Sequence, residues 1–455
     1  WGYDGVLLFA PESRYGRPED LKALVEAAHR RGVMVFLDVV YNHFGPDGNY
    51  LHHYAPQFFT ERHHTPWGAA INFDGVDSHW VRQFFIHNAC YWLQEYHLDG
   101  LRLDAVHAIC DDSQPDIVEE LAIVVREKVG TAPQVHLVLE NDNNAAHYLR
   151  RATASPDGYV AQWNDDLHHA LHVLTTGETA GYYVDFGDDP VRHLGRCLTE
   201  GFAYQGDPSV FREGRCRGEP SRGLPPTRFV SYLQNHDQIG NRAFGERISA
   251  LAVPEAVRAA TALVLLAPSP PLLFMGQEWG AHQPFLFFCD LGEELAPLVV
   301  EGRRREFASF PEFQSAARRA EIPDPLADET FARACLAWDA ANTPEGQRWL
   351  DFHRRLLALR RGSLVPCLAA IRSGAATWER LGEAALLVQW AMEDGGSLSL
   401  LANLSASPAP MAERPRGRLL FSTHDGLADE PAAERLPAWA VAWYLDGAPT
   451  GGPPP

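Results

Sequence analysis

Three carboxylates in this chain each close a stretch of apolar residues. Asp104 ends Gly100-Leu101-Arg102-Leu103-Asp104, Glu140 follows Val135–Leu139, and Asp237 stands in Gln234-Asn235-His236-Asp237 after Arg228–Leu233. A fourth run, Val33–Val40, contains Asp38 near its end and leads to Asn42 and His43. Near-continuous apolar runs of this kind read as strands buried on both faces. In a parallel barrel, the residues at the carboxyl ends of such strands share one site. Carboxylates with Arg102 and two histidines, and no Ser or Cys in a nucleophile setting, suit glycosyl transfer. One carboxylate attacks or shields an oxocarbenium-like centre while a second carboxylic acid protonates the leaving oxygen. Arg102 lies two residues from Asp104, on the same strand face, and a fixed cation there would keep Asp104 ionised. An apolar wall and neighbouring anions would raise the pKa of Glu140, as an acid working near neutrality requires.

The elements that must carry these residues alternate. Helical periodicity marks Glu19–Arg31, Val81–Tyr96, Asp116–Val129, His168–Leu174, Val191–Phe202 and Glu255–Ala267. Between them lie the strand-like runs Val33–Val40, Leu101–Ala105, Val135–Leu139, Tyr159–Trp163, Arg228–Leu233 and Pro271–Met275. Repetition of strand, loop and helix predicts a parallel sheet covered by helices. Six such strands fall short of the eight of a complete (β/α)₈ TIM-type barrel. The shortfall lies at the start, where the chain opens on Trp1-Gly2-Tyr3-Asp4 without an initiator Met. The expectation is a barrel lacking its first two strands, over residues 1–361, with a loop subdomain inserted at about 44–79. After a final helix at Trp349–Arg361 the pattern changes to short alternating strands, Leu386–Trp390, Leu398–Leu404 and Trp439–Leu445. These predict a C-terminal antiparallel β-sandwich domain at 362–450, followed by a disordered Gly/Pro tail at 451–455.

Four segments together resemble the signature regions of the α-amylase family of glycoside hydrolases, in order. They are Asp38-Val39-Val40-Tyr41-Asn42-His43, Gly100–Asp104, Glu140 after its strand, and Asn235-His236-Asp237. The resemblance implies Asp104 as nucleophile, Glu140 as general acid/base, and Asp237 as the carboxylate that grips sugar hydroxyls and stabilises the transition state. It also implies His43, Arg102 and His236 as substrate-positioning residues, Asp38 as a support, and retention of anomeric configuration. Further segments resemble a subfamily that hydrolyses the α-1,4 bond joining trehalose to a maltooligosaccharide. These are D-A-V-H-A from Asp104, T-P-W-G from Thr65, W-N-D-D-L-H-H from Trp163, T-G-E-T-A-G-Y-Y from Thr176, N-H-D-Q-I-G-N-R from Asn235, G-Q-E-W from Gly276 and E-G-R-R-R-E-F from Glu301. By that resemblance His107, Thr176, Gly177, Glu178, His236, Gln238 and Asn241 line the substrate site. Maltooligosyltrehalose or a related α-glucan is then the substrate, and a maltooligosyltrehalose synthase the functional partner. Glycogen-branching enzymes share several of these segments, so an α-1,4-glucan branching transferase is the alternative, ahead of a non-catalytic glucan-binding relative.

Composition narrows the field. A formal charge of −20 over 455 residues argues against a nucleic-acid partner, and no apolar run reaches the roughly 18 residues of a membrane span. The seven cysteines are scattered and never spaced C-x-x-C, which reads as free thiols in a reducing, cytoplasmic setting with neither disulfide framework nor zinc site. No cofactor or metal is expected. Simpler readings stand beside the chemical ones. The pairs His52/His53, His63/His64 and His168/His169 lack metal-site spacing and read as surface or hydrogen-bonded histidines. Trp67 and Trp163 fit sugar stacking and core packing equally, Trp279 leans to the core, and Arg303-Arg304-Arg305 reads as a solvated helix face. The Thr176–Glu178 turn fits a plain helix end as well as it fits a ligand contact.

Overall fold

The computed structural model describes residues 1–65, 68–129, 135–150, 158–411, 413–425, 427 and 435–447. Trp67 and the 451–455 tail lie outside the described residues. The chain divides into two compact units, Trp1–Trp163 and Asn164–Pro455.

In the first unit four parallel strands follow one another in chain order: Phe36–Val40, Gly100–Asp104, His136–Leu139 and Ala161–Trp163. Their register sets Val40 opposite Asp104 and Leu103 opposite Leu139. The two acids Asp104 and Glu140 therefore emerge at neighbouring strand ends. Leu101 and Leu103 are fully buried, each worth about 2 kcal/mol of transfer free energy. Helix Ser78–Glu95 runs into the second strand and buries Val81, Phe85, Ile86, Ala89, Cys90, Trp92 and Leu93. Helix Ile117–Lys128 starts at Asp116, whose side chain accepts from the Glu119 amide at 2.8 Å, satisfying a donor the first turn would leave unpaired. The 44–79 loop holds a two-stranded hairpin, Phe59–Thr65 with Gly68–Ile71.

The expectation that Val33–Val40 is buried on both faces fails in its first half. The strand is Phe36–Val40 alone, and Val33, Met34 and Phe36 are exposed. Within this unit it is the edge strand, paired only with Gly100–Asp104 among the described residues.

In the second unit the parallel pair is Phe229–Tyr232 with Pro271–Leu272. Helix Asp165–Thr176 is capped by Asn164 and stopped by Gly177 in the left-handed region, φ 77°. Helix Pro254–Leu266 exposes Glu255 and Arg258 in its first turns and is buried from Ala259 to Leu266. The C-terminal residues form a five-stranded antiparallel sheet ordered Ile371–Gly382, Ala385–Met392, Ser397–Asn403, Val441–Asp446, Arg418–Ser422. Trp390 and Trp443 stack in its core at 5.6 Å between ring centres. The (β/α) series with a C-terminal antiparallel β domain is thus the architecture observed.

Candidate active site

Arg102 is the hub of the first unit's polar strand ends. Its side chain is only 5% exposed, and its Nη1 donates to Asp38 Oδ1 at 2.7 Å and to Asp104 Oδ1 at 2.5 Å. Its Nη2 lies 3.7 Å from Glu140 Oε2. A buried guanidinium is tolerated because three carboxylates surround it. Burial opposes the charge, but Asp38, Asp104 and Glu140 together hold Arg102 protonated well above its usual range. The guanidinium also packs over the Trp163 ring at 4.2 Å and faces the Tyr3 ring at 5.9 Å. One face of Trp163 is therefore taken by Arg102, and Trp279 is core, 5% exposed.

Glu140 is tied to the Asp104 segment through backbone. Its Oε2 accepts from the Ala105 amide at 2.6 Å, and its own amide donates to Leu103 O at 3.0 Å. Ala105 adopts a left-handed conformation, φ 41°, ψ 45°, which turns the chain sharply just after Asp104. Asp38 accepts from Tyr3 Oη at 2.8 Å, and burial raises its pKa against the pull of Arg102. His43 Nδ1 bonds Asn42 Oδ1 at 2.7 Å, with Asp4 3.7 Å from Nε2. His107 is exposed, and its Nδ1 accepts from the Asp142 amide at 3.3 Å. Tyr3 and Asp4 had no sequence signal, since neither belongs to a motif.

In the second unit, Asn235 caps the short helix His236–Gly240 by accepting from the Asp237 and Gln238 amides. Asp237 is 39% exposed, with His236 Nε2 3.5 Å from its Oδ2. Gln238 donates to Asp165 Oδ1 at 3.1 Å, while Asn241 is exposed and closes the turn through its amide to Asp237 O at 2.8 Å. His236, Asp237, Gln238 and Asn241 thus share one helical turn. The Thr176–Glu178 turn is a helix end: Thr176 Oγ1 donates to His172 O at 2.7 Å and Gly177 supplies the positive φ. The half-exposed Glu178 carboxylate accepts from Arg242 at 2.7 and 2.9 Å and lies 2.7 Å from His172 Nε2. Both partners were absent from the sequence reading, although Arg242 ends the segment Asn235–Arg242.

Other sequence readings meet mixed outcomes. His168 is buried, with Nδ1 at 2.8 Å from Leu233 O and Nε2 at 3.0 Å from Tyr183 Oη. Burial pushes its pKa down to about 3. His63, Asp74 and Asp112 bring ligand-type atoms within 4.8 Å of one another. Arg62 already bridges the two acids, at 3.1 and 2.6 Å. The expected solvated face at Arg303–Arg305 is wrong for Arg303, whose side chain is 9% exposed; Arg305 is solvated as expected. All seven cysteines are free thiols.

Comparison with known proteins follows the same lines. Residues 1–67 match the α-amylase catalytic domain, and residues 373–443 match a domain of unknown function, DUF3459. A malto-oligosyltrehalose trehalohydrolase of Rhizobium sp. (strain M-11) is 39% identical over 98% of this chain and 73% of its own length. The protein of that name from Deinococcus radiodurans is 45% identical over 79% of this chain and 58% of its own. This chain thus spans about three fifths to three quarters of those relatives' lengths. A 1,4-α-glucan branching enzyme of Pseudoalteromonas atlantica is 32% identical, over 38% of this chain only. Among solved structures, a Salmonella typhimurium protein provisionally assigned to the α-amylases superposes with a TM-score of 0.90 at 44% identity, covering 98% of this chain and 74% of that one. The α-amylase of Geobacillus thermoleovorans, at 16% identity and a TM-score of 0.58 over 98% of this chain and 84% of its own, shares the fold.

Proposed function

Because the chain belongs to the malto-oligosyltrehalose trehalohydrolase family of α-amylase-type glycoside hydrolases, we propose that it cleaves the α-1,4 bond beside the trehalose end of maltooligosyltrehalose. The products are trehalose and a maltooligosaccharide. The observation that carries the mechanism is the Arg102 hub, which holds Asp104 against a buried cation while Glu140 hangs on the next strand end.

In this reading the Asp104 carboxylate attacks the anomeric carbon as Glu140 protonates the departing glycosidic oxygen. The C–O bond to trehalose breaks and a glycosyl ester on Asp104 forms. Glu140, now a carboxylate, takes a proton from water, and the resulting attack at the same carbon releases Asp104 and the sugar with retained configuration. Asp237 binds sugar hydroxyls and stabilises the positive charge that develops in the transition state of each step. His43, His107, His236, Gln238 and Asn241 orient the substrate. Thr176, Gly177 and Glu178 belong to the same substrate-binding set, the Glu178 carboxylate bracing their turn through Arg242 and His172. No metal or cofactor takes part.

The catalytic region is read as residues 1–361, with its inserted loop at 44–79, and the β domain as 362–450. A maltooligosyltrehalose synthase supplies the substrate, and the reaction takes place in the cytoplasm. No described helix is long and apolar enough to cross a membrane.

The test is trehalose release from maltooligosyltrehalose, run beside an amylose-branching assay. Asp104→Ala and Glu140→Gln should each abolish trehalose release with the fold retained. Near-normal turnover in either variant overturns the mechanism. Branching without trehalose release would move the protein to the transferase reading, for which the Pseudoalteromonas relative speaks.

A further inference from the structure

Arg303 sits in helix Ala296–Glu306, in a run of three arginines, yet its guanidinium is buried between aromatic rings. It lies 4.7 Å from the Phe307 ring centre and 5.4 Å from that of Phe287. Its Nη2 donates to Gly240 O at 2.6 Å and to Arg242 O at 2.9 Å, and its Nη1 to Glu306 Oε2 at 3.2 Å. The two backbone acceptors lie at the end of helix His236–Gly240 and just beyond it. Carbonyls at a helix end have no intrahelical donor and carry the negative end of the helix dipole. A cation there satisfies both needs, and a planar fork holds two acceptors at once where an ammonium holds them less rigidly.

This helix is a single turn, too short to hold its own geometry. Asp237 is in its first turn, held by Asn235 Oδ1 at its amide and by the Asn241 amide at its carbonyl. The far end of the turn is fixed by Arg303 on the backbone, and the Arg242 side chain is fixed by Glu178. We propose that Arg303 is a positioning residue that sets the orientation of Asp237 by clamping the carbonyls of Gly240 and Arg242. The inference rests on the reading of Asp237 as the carboxylate that stabilises the transition state.

The experiment compares Arg303→Met, Arg303→Lys and Asp237→Asn in the intact protein, with kcat and KM for maltooligosyltrehalose measured beside thermal unfolding. Methionine keeps an apolar stem between the two phenyl rings and removes the clamp. Misplacement by about 1 Å can cost on the order of 100-fold, so Arg303→Met should lower kcat by about tenfold or more while KM changes less than about twofold. Arg303→Lys should recover part of that loss, and it carries the test alone if the methionine variant does not fold. In the Asp237→Asn background, Arg303→Met should subtract nothing further from the residual kcat. A kcat kept within about twofold in the folded Arg303 variants, with Asp237→Asn reduced to a small residual kcat, overturns this inference and leaves the role of Asp237 intact. A full additional loss in the Asp237→Asn background also overturns it. An active Asp237→Asn enzyme instead overturns the reading of Asp237 and the inference with it.

Discussion

Replacing Glu178 with Gln separates a structural carboxylate from one that binds substrate. Glu178 is pulled down to about 2 from its ordinary 4.5, first by the hydrogen bond from His172 and then, against burial, by Arg242. His172 itself is pushed down, because burial outweighs the attraction of the carboxylate; with its side chain 4% exposed, the burial effect is the one to follow. At about 1.4 kcal/mol per pKa unit the Glu178 shift corresponds to roughly 3 kcal/mol, but its side chain is 38% exposed. Solvent screening reduces this to about 1–2 kcal/mol. A carboxyl whose folded pKa lies below its unfolded one contributes fully above about pH 4.5 and loses that contribution as pH falls toward 2. Glu178→Gln should therefore cost about 1–2 kcal/mol at pH 7, and the gap from the parent should narrow as pH falls from 4.5 to 3. Urea unfolding midpoints at pH 7, 4.5 and 3 measure it. Coincident midpoints at pH 7 with a raised KM would refute the reasoning and return Glu178 to the substrate site.

Arg102→Met removes the cation from half-buried Asp104 and from the more open Asp38, whose side chain is 36% exposed, and should cost about 1–3 kcal/mol in the same unfolding assay as well as most of the activity. Gly100→Ala would place a Cβ 2.4 Å from His136 O and 2.8 Å from the Phe36 ring. Because the first of these is backbone in the neighbouring strand, unfolding measurements should show a loss of about 1–3 kcal/mol. Dialysis against a chelator should leave trehalose release unchanged, since Arg62 already neutralises the His63, Asp74 and Asp112 grouping. A loss restored by a divalent cation would point to a metal-dependent barrel enzyme instead.

The strand ends were legible because a central parallel strand is apolar on both faces. Leu101 and Leu103 announce their burial in the sequence, and the first acid after such a run is pinned to the strand's carboxyl end. That logic weakens at a sheet edge, where Val33, Met34 and Phe36 are as apolar as core residues and yet exposed. It says nothing about long polar side chains. Arg303 and Arg305 are identical in sequence terms and two residues apart, yet one is clamped between Phe307 and Phe287 while the other faces water. The difference lies in Phe287 and in the Gly240 and Arg242 carbonyls, which folding brings to Arg303 from elsewhere in the chain, beside its near neighbour Phe307. Glu178 shows the same limit. Its turn fits either a helix end or a ligand contact, and the positions of His172 and Arg242 around the carboxylate favour the first.

Ala105 has a consequence for anyone evolving this enzyme in the laboratory. A left-handed alanine carries about 1–2 kcal/mol of strain, which glycine would relieve. Glycine would also loosen the unfolded chain by about 0.4–1 kcal/mol, so Ala105→Gly is neutral to stabilising, by about 1 kcal/mol at the middle of the ranges. The same residue follows Asp104 and donates its amide to Glu140, so its stiffness links the two acids through a single peptide. Libraries sorted by thermal survival will therefore accumulate such a variant unopposed, and only a selection for turnover will remove it.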